Sequence, residues 1–251
     1  MSSIQAKRLH SVNFGEKNSW DDWKLIPIKR PVFDPPAHKY VSVDIMGADG
    51  EIDLSDVLTD YPVFNNRRGT LKFRMFATER KAYARYSEIM NTLHGQKMRC
   101  ILDEEPEYYY FGRFTVSGFE YKRIGEWADI SIDYNVEPYK YLVEGSTDDW
   151  LWDPFNFETG VIRGYNNLAV NGLTTHTIIG SRMPVTPKFI VTLTSGTSMK
   201  LTFDGNTYTL SEGTNIIPTI ILTEGENTLT FNADGTVSSG TVTIDFMGGS
   251  L

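Results

Sequence analysis

The feature that most constrains this chain is an abrupt change of character near residue 140. Residues 1–140 hold 20 Lys/Arg and 21 Asp/Glu, whereas residues 141–251 hold 4 and 11. Threonine follows the same divide, with 5 before position 141 and 20 after it. One core under one set of constraints has no reason to change composition so sharply, and 251 residues is the length at which cores divide. Two domains are therefore expected, 1–140 and 141–251, joined through Glu137–Asp149, where a β-rich segment runs into Pro, Gly, Ser and carboxylates.

The first domain reads as β-rich α+β with one helix. Val41, Val43 and Ile45 alternate with Ser42, Asp44 and Met46, the period of a half-buried strand, and Asp49-Gly50 supplies a turn. Leu71, Phe73 and Met75 alternate in the same way. Over 79–94 the period becomes helical: Ala82, Tyr83, Tyr86, Ile89, Met90 and Leu93 form one stripe, with Thr78 placed to cap it and Gly95 to end it. Further strands are expected at Lys97–Leu102, Tyr108–Val116, Phe119–Lys122 and Trp127–Val136.

The second domain reads as all-β. Turn signals recur every eight to twelve residues from Lys188 onward, between strands at Phe189–Leu193, Met199–Phe203, Thr207–Leu210, Thr219–Leu222, Thr228–Phe231 and Thr241–Phe246. That spacing indicates a β-sandwich or barrel.

Catalytic scaffolds are not apparent. There is no phosphate-cradling loop, H-E-x-x-H pair or G-x-S-x-G elbow, and the four histidines, His10, His38, His94 and His176, are scattered. The lone Cys100 sits inside an alternating strand, so it reads as core and not as a nucleophile. No cofactor, metal or enzymatic activity is expected. A net charge of −8 argues against general nucleic-acid binding. No apolar run approaches the length of a membrane span, and the first residues lack the apolar region of a signal peptide.

Three groups of residues could carry function. The acidic turn Asp103-Glu104-Glu105-Pro106-Glu107 is either a solvated turn or part of a site, and Arg67-Arg68, beside Asn65-Asn66, either pairs with an acidic neighbour or is itself a solvated turn. Trp150 and Trp152, with Phe155 and Phe157, either seal a core or stack on sugar or a partner.

Ala48–Leu54, Thr59–Arg67, Leu93–Lys97, Asp103–Arg113, Val136–Lys140 and the ending Gly240–Leu251, taken in this order, resemble the distal tail proteins of long-tailed phages that infect Gram-positive bacteria. The likeness extends over nearly the whole chain, although family members often carry a basic residue near Met247. The resemblance implies a virion structural protein with an N-terminal belt domain and a C-terminal galectin-like β-sandwich. It further implies a homo-hexameric ring at the tail tip, assembled in the host cytoplasm, through whose channel DNA passes. Its expected partners are the tail tube protein, a tail-associated fibre or lysin protein, and receptor-binding or baseplate proteins, with no membrane contact. A ring needs a heterologous contact, one patch against a different patch. The charge-balanced first domain suits that contact, so the acidic turn with Asp103, Glu104 and Glu105 and its aromatic strand are expected near a subunit boundary or the channel, with Arg67, Arg68 and Arg113 as candidate partners. The rival readings are a carbohydrate-binding module using Trp150 and Trp152 and, more remotely, a polysaccharide-degrading enzyme with paired carboxylates.

Overall fold

The computed structural model describes residues 10–47, 49–59, 61–143, 164–194, 198–232 and 240–251. It is mainly β with one helix, and its contacts divide it into two compact units, 1–140 with Leu251, and 141–250. The short strand β10 (Lys140–Leu142) lies at the boundary in sequence.

The first unit is built on an antiparallel sheet. Its strands are β1 (Val12–Phe14), β2 (Lys17–Asn18), β3 (Ile26–Pro27), β6 (Arg67–Phe76), β7 (Gln96–Leu102), β8 (Tyr108–Lys122) and β9 (Trp127–Val136), in the order β2-β1-β7-β8-β9-β6-β3. Long hairpins dominate because β8 and β9 pair over nearly their whole length, from Gly112↔Val136 to Lys122↔Trp127, with one irregularity between Val116 and Gly118. Alternation then decides the faces: Leu71, Phe73 and Met75 of β6 point inward beside Ala128, Ile130 and Ile132 of β9. Helix α1 (Glu79–Leu93) covers that face, burying Ala82, Ile89 and Leu93 and stacking Tyr86 on Phe119 with ring centroids 4.4 Å apart. Thr78 occupies the N-cap position as expected, but its hydroxyl makes no capping bond. Instead its carbonyl accepts from Ala82 N–H at 2.9 Å.

One expectation fails here. The alternating segment at 41–45 forms β4 (Ser42–Asp44), paired only with β5 (Glu51–Asp53) as a separate two-stranded ribbon. Val43 is 46% exposed and its cross-strand neighbour Ile52, on the same face, 50%, so the apolar face lies open. Alternation shows that a strand has an apolar face, but not that this chain supplies the cover.

The second unit is a β-sandwich of two four-stranded antiparallel sheets. One runs β11-β18-β13-β16, from Leu168–Val170, Gly240–Asp245, Lys188–Leu193 and Gly213–Ile216. The other runs β12-β17-β14-β15, from Leu173–Gly180, Gly225–Asn232, Ser198–Phe203 and Asn206–Ser211. A short β19 (Gly249–Ser250) closes the chain. Phe189 of the first sheet meets Phe231 of the second edge-on at 6.3 Å, inside one core that also takes Met199, Leu201, Val242 and Ile244. Thr219–Leu222, expected as a strand, is instead a turn followed by a single bridge, Val185↔Leu222, and the edge position belongs to β16.

A repeated clamp braces this unit. Ser211-Glu212-Gly213-Thr214-Asn215 and Thr223-Glu224-Gly225-Glu226-Asn227 share the pattern Ser/Thr-Glu-Gly-x-Asn. In each, the Asn Oδ1 accepts from the Ser/Thr N–H, at 3.0 and 3.1 Å. In each, Nδ2 donates to the carbonyls of the same Ser/Thr, at 2.7 and 2.8 Å, and of the glycine, at 3.1 and 3.0 Å. The glycines have φ +95° and +93°, which a side chain would oppose. The two clamps sit in different sheets, one feeding β16 and the other β17.

Candidate functional site

Continuing the β6 alternation backward from Leu71 through Gly69 puts Arg67 on the inward face, and there it is buried. Its Nε donates to the Pro138 carbonyl at 2.8 Å and its Nη1 to the Asp34 carbonyl at 3.3 Å. The guanidinium lies 5.5 Å from the Tyr110 ring centre, and its Nη2 is buried without a hydrogen-bond partner. Burial lowers its pKa from the ordinary arginine value. Neighbouring β6 residues on the other face stay outside: Arg68 is exposed, Thr70 donates to Asp133 at 2.6 Å, and Arg74 grips Asp129 with two bonds of 2.8 and 2.9 Å.

Around Arg67 the aromatics are tightly placed. Phe33 packs against Tyr110 at 4.2 Å and Tyr134 at 4.7 Å between ring centres. Tyr134 OH accepts from Asp34 N–H at 2.9 Å and donates to the Asp34 carboxylate at 3.1 Å. Gly69 is the residue directly opposite Tyr134 in the β6–β9 ladder.

The acidic turn joins this cluster at one edge. Tyr110 OH donates to Glu105 at 3.3 Å, and Lys140 Nζ donates to the same carboxylate at 2.9 Å while lying over the Tyr108 ring at 4.7 Å. Burial first, then the nearby Glu105 charge, pushes the Tyr110 hydroxyl well above its ordinary range. Glu104 pairs with Arg30 at 3.3 Å and with His10, and its Oε2 is buried without a partner. Asp103 and Arg113 are exposed, Arg113 donating to the Gly95 carbonyl. Thus the fold ties Arg67, Glu104 and Glu105 into internal contacts, whereas Arg68, Asp103 and Arg113 face solvent. The partners Arg30, Lys140 and Asp34 were not read from sequence, because they come from segments 33 to 74 positions away; Arg67's inward position was readable from the alternation.

Chemically this cluster orders a turn by charge-assisted hydrogen bonds. Cys100 is fully buried and burial pushes its thiol well above its ordinary value, so the thiolate that would attack is suppressed. No three His, Cys, Asp or Glu side chains gather into a metal-holding group among the described residues, and none of their helices is long and apolar enough to cross a membrane. Trp150 and Trp152 lie outside the described residues. The described aromatics of the sandwich, including Tyr165, Phe203 and Phe246, are turned into its core.

What the site does present is apolar surface on the β4–β5 ribbon. The ribbon is pinched at its root, where Lys39 N–H donates to the Val63 carbonyl at 2.8 Å and Asn65 N–H to the Ala37 carbonyl at 2.7 Å, flanking the bridge His38↔Phe64. Beyond that root Met46 is 100% exposed and Leu58 96%.

No protein-family model matches the chain, and no curated protein does. Among solved structures, the chain is similar to the crystal structure of SPP1 Dit (gp 19.1), described as a paradigm of hub adsorption apparatus in Gram-positive infecting phages. The TM-score is 0.60 at 15% identity, with 97% of this chain and 100% of that chain covered. The likeness is one of fold, and that fold is the one the sequence resemblance implies.

Proposed function

We propose that this chain is a structural protein of a phage tail adsorption apparatus, not an enzyme. The observation that carries the reading is that the likeness to SPP1 Dit covers 97% of this chain and 100% of that one, through both units, and agrees with a resemblance read from this sequence alone. In this reading residues 1–140 form the belt domain and 141–251 a galectin-like sandwich. Six copies close a ring at the virion tail tip, after assembly in the host cytoplasm. The ring joins the tail tube to the fibre or lysin protein and to receptor-binding or baseplate proteins. The exposed Arg68, Asp103 and Arg113 belong near the boundary between copies, and Arg67, Glu104 and Glu105 act there by holding the turn in shape.

The test is direct. Virions are purified from lysates of the cells that produce this chain and labelled with an antibody raised against it. Label at the tail tip, on particles that contain the chain by mass spectrometry, is the expected result. Purified virions without the chain would overturn the reading.

A further inference from the structure

One link in the second unit brings together the groups for a reaction of the chain with itself. Asn171 and Gly172 alone join β11 to β12. They carry the chain from one sheet of the sandwich to the other, since Val170 pairs with Gly240 in the first and Leu173 with Asn232 in the second. No other asparagine of the chain precedes a glycine. The Asn171 amide carbon is an electrophile, and the Gly172 backbone nitrogen is the nucleophile that closes a five-membered ring with it.

The surroundings favour that closure. Both residues are exposed, Gly172 has φ +64°, and a β-carbon placed on it would meet nothing within 4 Å, so room for the ring is open. Among the described residues no hydrogen bond holds the Asn171 amide, whereas the amides of Asn215 and Asn227 are fixed at both ends by their clamps. Nor does any backbone carbonyl among the described residues accept from the Gly172 N–H. Thr174 supplies the remaining part. Its hydroxyl accepts from Asn171 N–H at 3.2 Å and donates to the Asn171 carbonyl at 3.3 Å. That carbonyl shares a peptide group with the Gly172 nitrogen and takes up the charge when the nitrogen loses its proton. A donor already aimed at it lowers the barrier to attack.

We propose that Asn171–Gly172 is a self-modification site, at which the folded chain deamidates with Thr174 as a positioning residue. Solvent base removes the Gly172 N–H proton, the bond from that nitrogen to Asn171 Cγ forms, and the Cγ–Nδ2 bond breaks. The amide nitrogen leaves as ammonia, taking a proton from solvent. Water then opens the cyclic imide at either carbonyl, leaving aspartate or isoaspartate. Both reacting groups belong to adjacent residues, so ring closure needs no second protein. Aspartate adds a negative charge to a region, 141–251, that holds 11 Asp/Glu against 4 Lys/Arg. Isoaspartate adds a carbon to the backbone of a two-residue link and pulls Val170 and Leu173 out of their paired positions. The change is one-way once ammonia is lost, so each copy carries a record of its age at the join between its sheets.

The full chain is held at mildly alkaline and at mildly acidic pH, then digested. Residue 171 is read by mass spectrometry with fragmentation that separates aspartate from isoaspartate. The wild type should convert at 171 ahead of every other asparagine, faster at the higher pH, and the isoaspartate form should melt below fresh protein. Native chain should convert at least as fast as chain unfolded in urea. Asn171→Gln, which sets the same amide one carbon farther away, should stay unmodified at 171. Thr174→Val should slow conversion several-fold, and Thr174→Ser should keep the wild-type rate. A native chain that retains its Asn171 amide while the urea-unfolded chain loses it overturns the proposal, because the fold then protects the link. Equal rates in Thr174→Val and wild type overturn the part assigned to Thr174. The comparison of native with urea-unfolded wild type decides the matter even where the valine variant folds poorly.

Discussion

Tyr134 fills the space that a side chain at Gly69 would need. A β-carbon on Gly69 would lie within 2.7 Å of the Tyr134 ring carbon bearing the hydroxyl and 2.6 Å of the Asp34 carboxylate. Glycine is required there because the tyrosine opposite leans across the ladder to reach Asp34.

Gly69→Ala should therefore destabilise the first unit by about 1–3 kcal/mol, the usual cost of overpacking a full core. Urea unfolding followed by tryptophan fluorescence reads this directly, since Trp23 is fully buried in the same core. An unchanged midpoint would mean that Tyr134 does not hold this position.

Adjacent arginines should behave oppositely. Arg67→Ala leaves the Pro138 and Asp34 carbonyls without their donor and is expected to cost about 2–3 kcal/mol, typical of buried bonds to a charged group. Arg68→Ala, on the outer face, should stay within about 0.5 kcal/mol of wild type. Equal denaturation midpoints for the two variants would refute the inward assignment of Arg67.

The two asparagine clamps should rank by burial. Asn227→Ala is expected to cost about 1–3 kcal/mol, because the Thr223 N–H and the Thr223 and Gly225 carbonyls lose their partner inside a buried site. Asn215→Ala, at a half-exposed site, should cost less, since water replaces its bonds. Thermal unfolding of the full chain distinguishes them, and the reverse order would contradict the structure.

Alkaline pH should loosen the first unit. Burial raises the folded pKa of Tyr110 and Cys100 above their ordinary values of 10.0 and 9.0. Groups raised in the folded state contribute fully below the unfolded pKa, and the contribution is lost as pH rises toward the folded value. Stability should thus be flat near neutral pH and fall above about pH 9, first through Cys100 and then through Tyr110. Cys100→Ala should delay the onset, and the native thiol should resist alkylation until the unit unfolds. Rapid labelling of native protein at pH 8 would show that Cys100 is not sealed.

Much of this fold was legible in the sequence, and the exceptions share one cause. The inward row Leu71-Phe73-Met75 and the helical stripe from Ala82 to Leu93 record contacts made within one element's own period, so periodicity finds them. The change near 140 was visible as composition, since charge and threonine content shift there. What periodicity cannot report is the cover supplied from elsewhere. Arg67 reads as a partner for an acidic neighbour, although the β6 alternation turns it inward, because the carbonyls that accept from it lie at 34 and 138; the ribbon looked half-buried because nothing local marks a missing layer. Gly213–Ile216 was passed over as a strand because glycine, threonine and asparagine carry no apolar alternation, its place being set by pairing with β13. For the candidate site, residue types and Arg67's inward position were readable, and the partners were not. Glu104 and Glu105 were singled out without Arg30, His10 and Lys140, which hold them.

The pinched root of the ribbon has an evolutionary consequence. Because Lys39 and Val63 are hydrogen-bonded neighbours, the chain leaves and rejoins the unit at nearly one point, and the sheet does not register what lies between. Length and composition of that excursion are free to drift, to be exchanged by recombination or to be shortened to a tight turn, without disturbing a single residue of the inward row. A lineage can therefore rewrite its contacts quickly while its scaffold changes slowly.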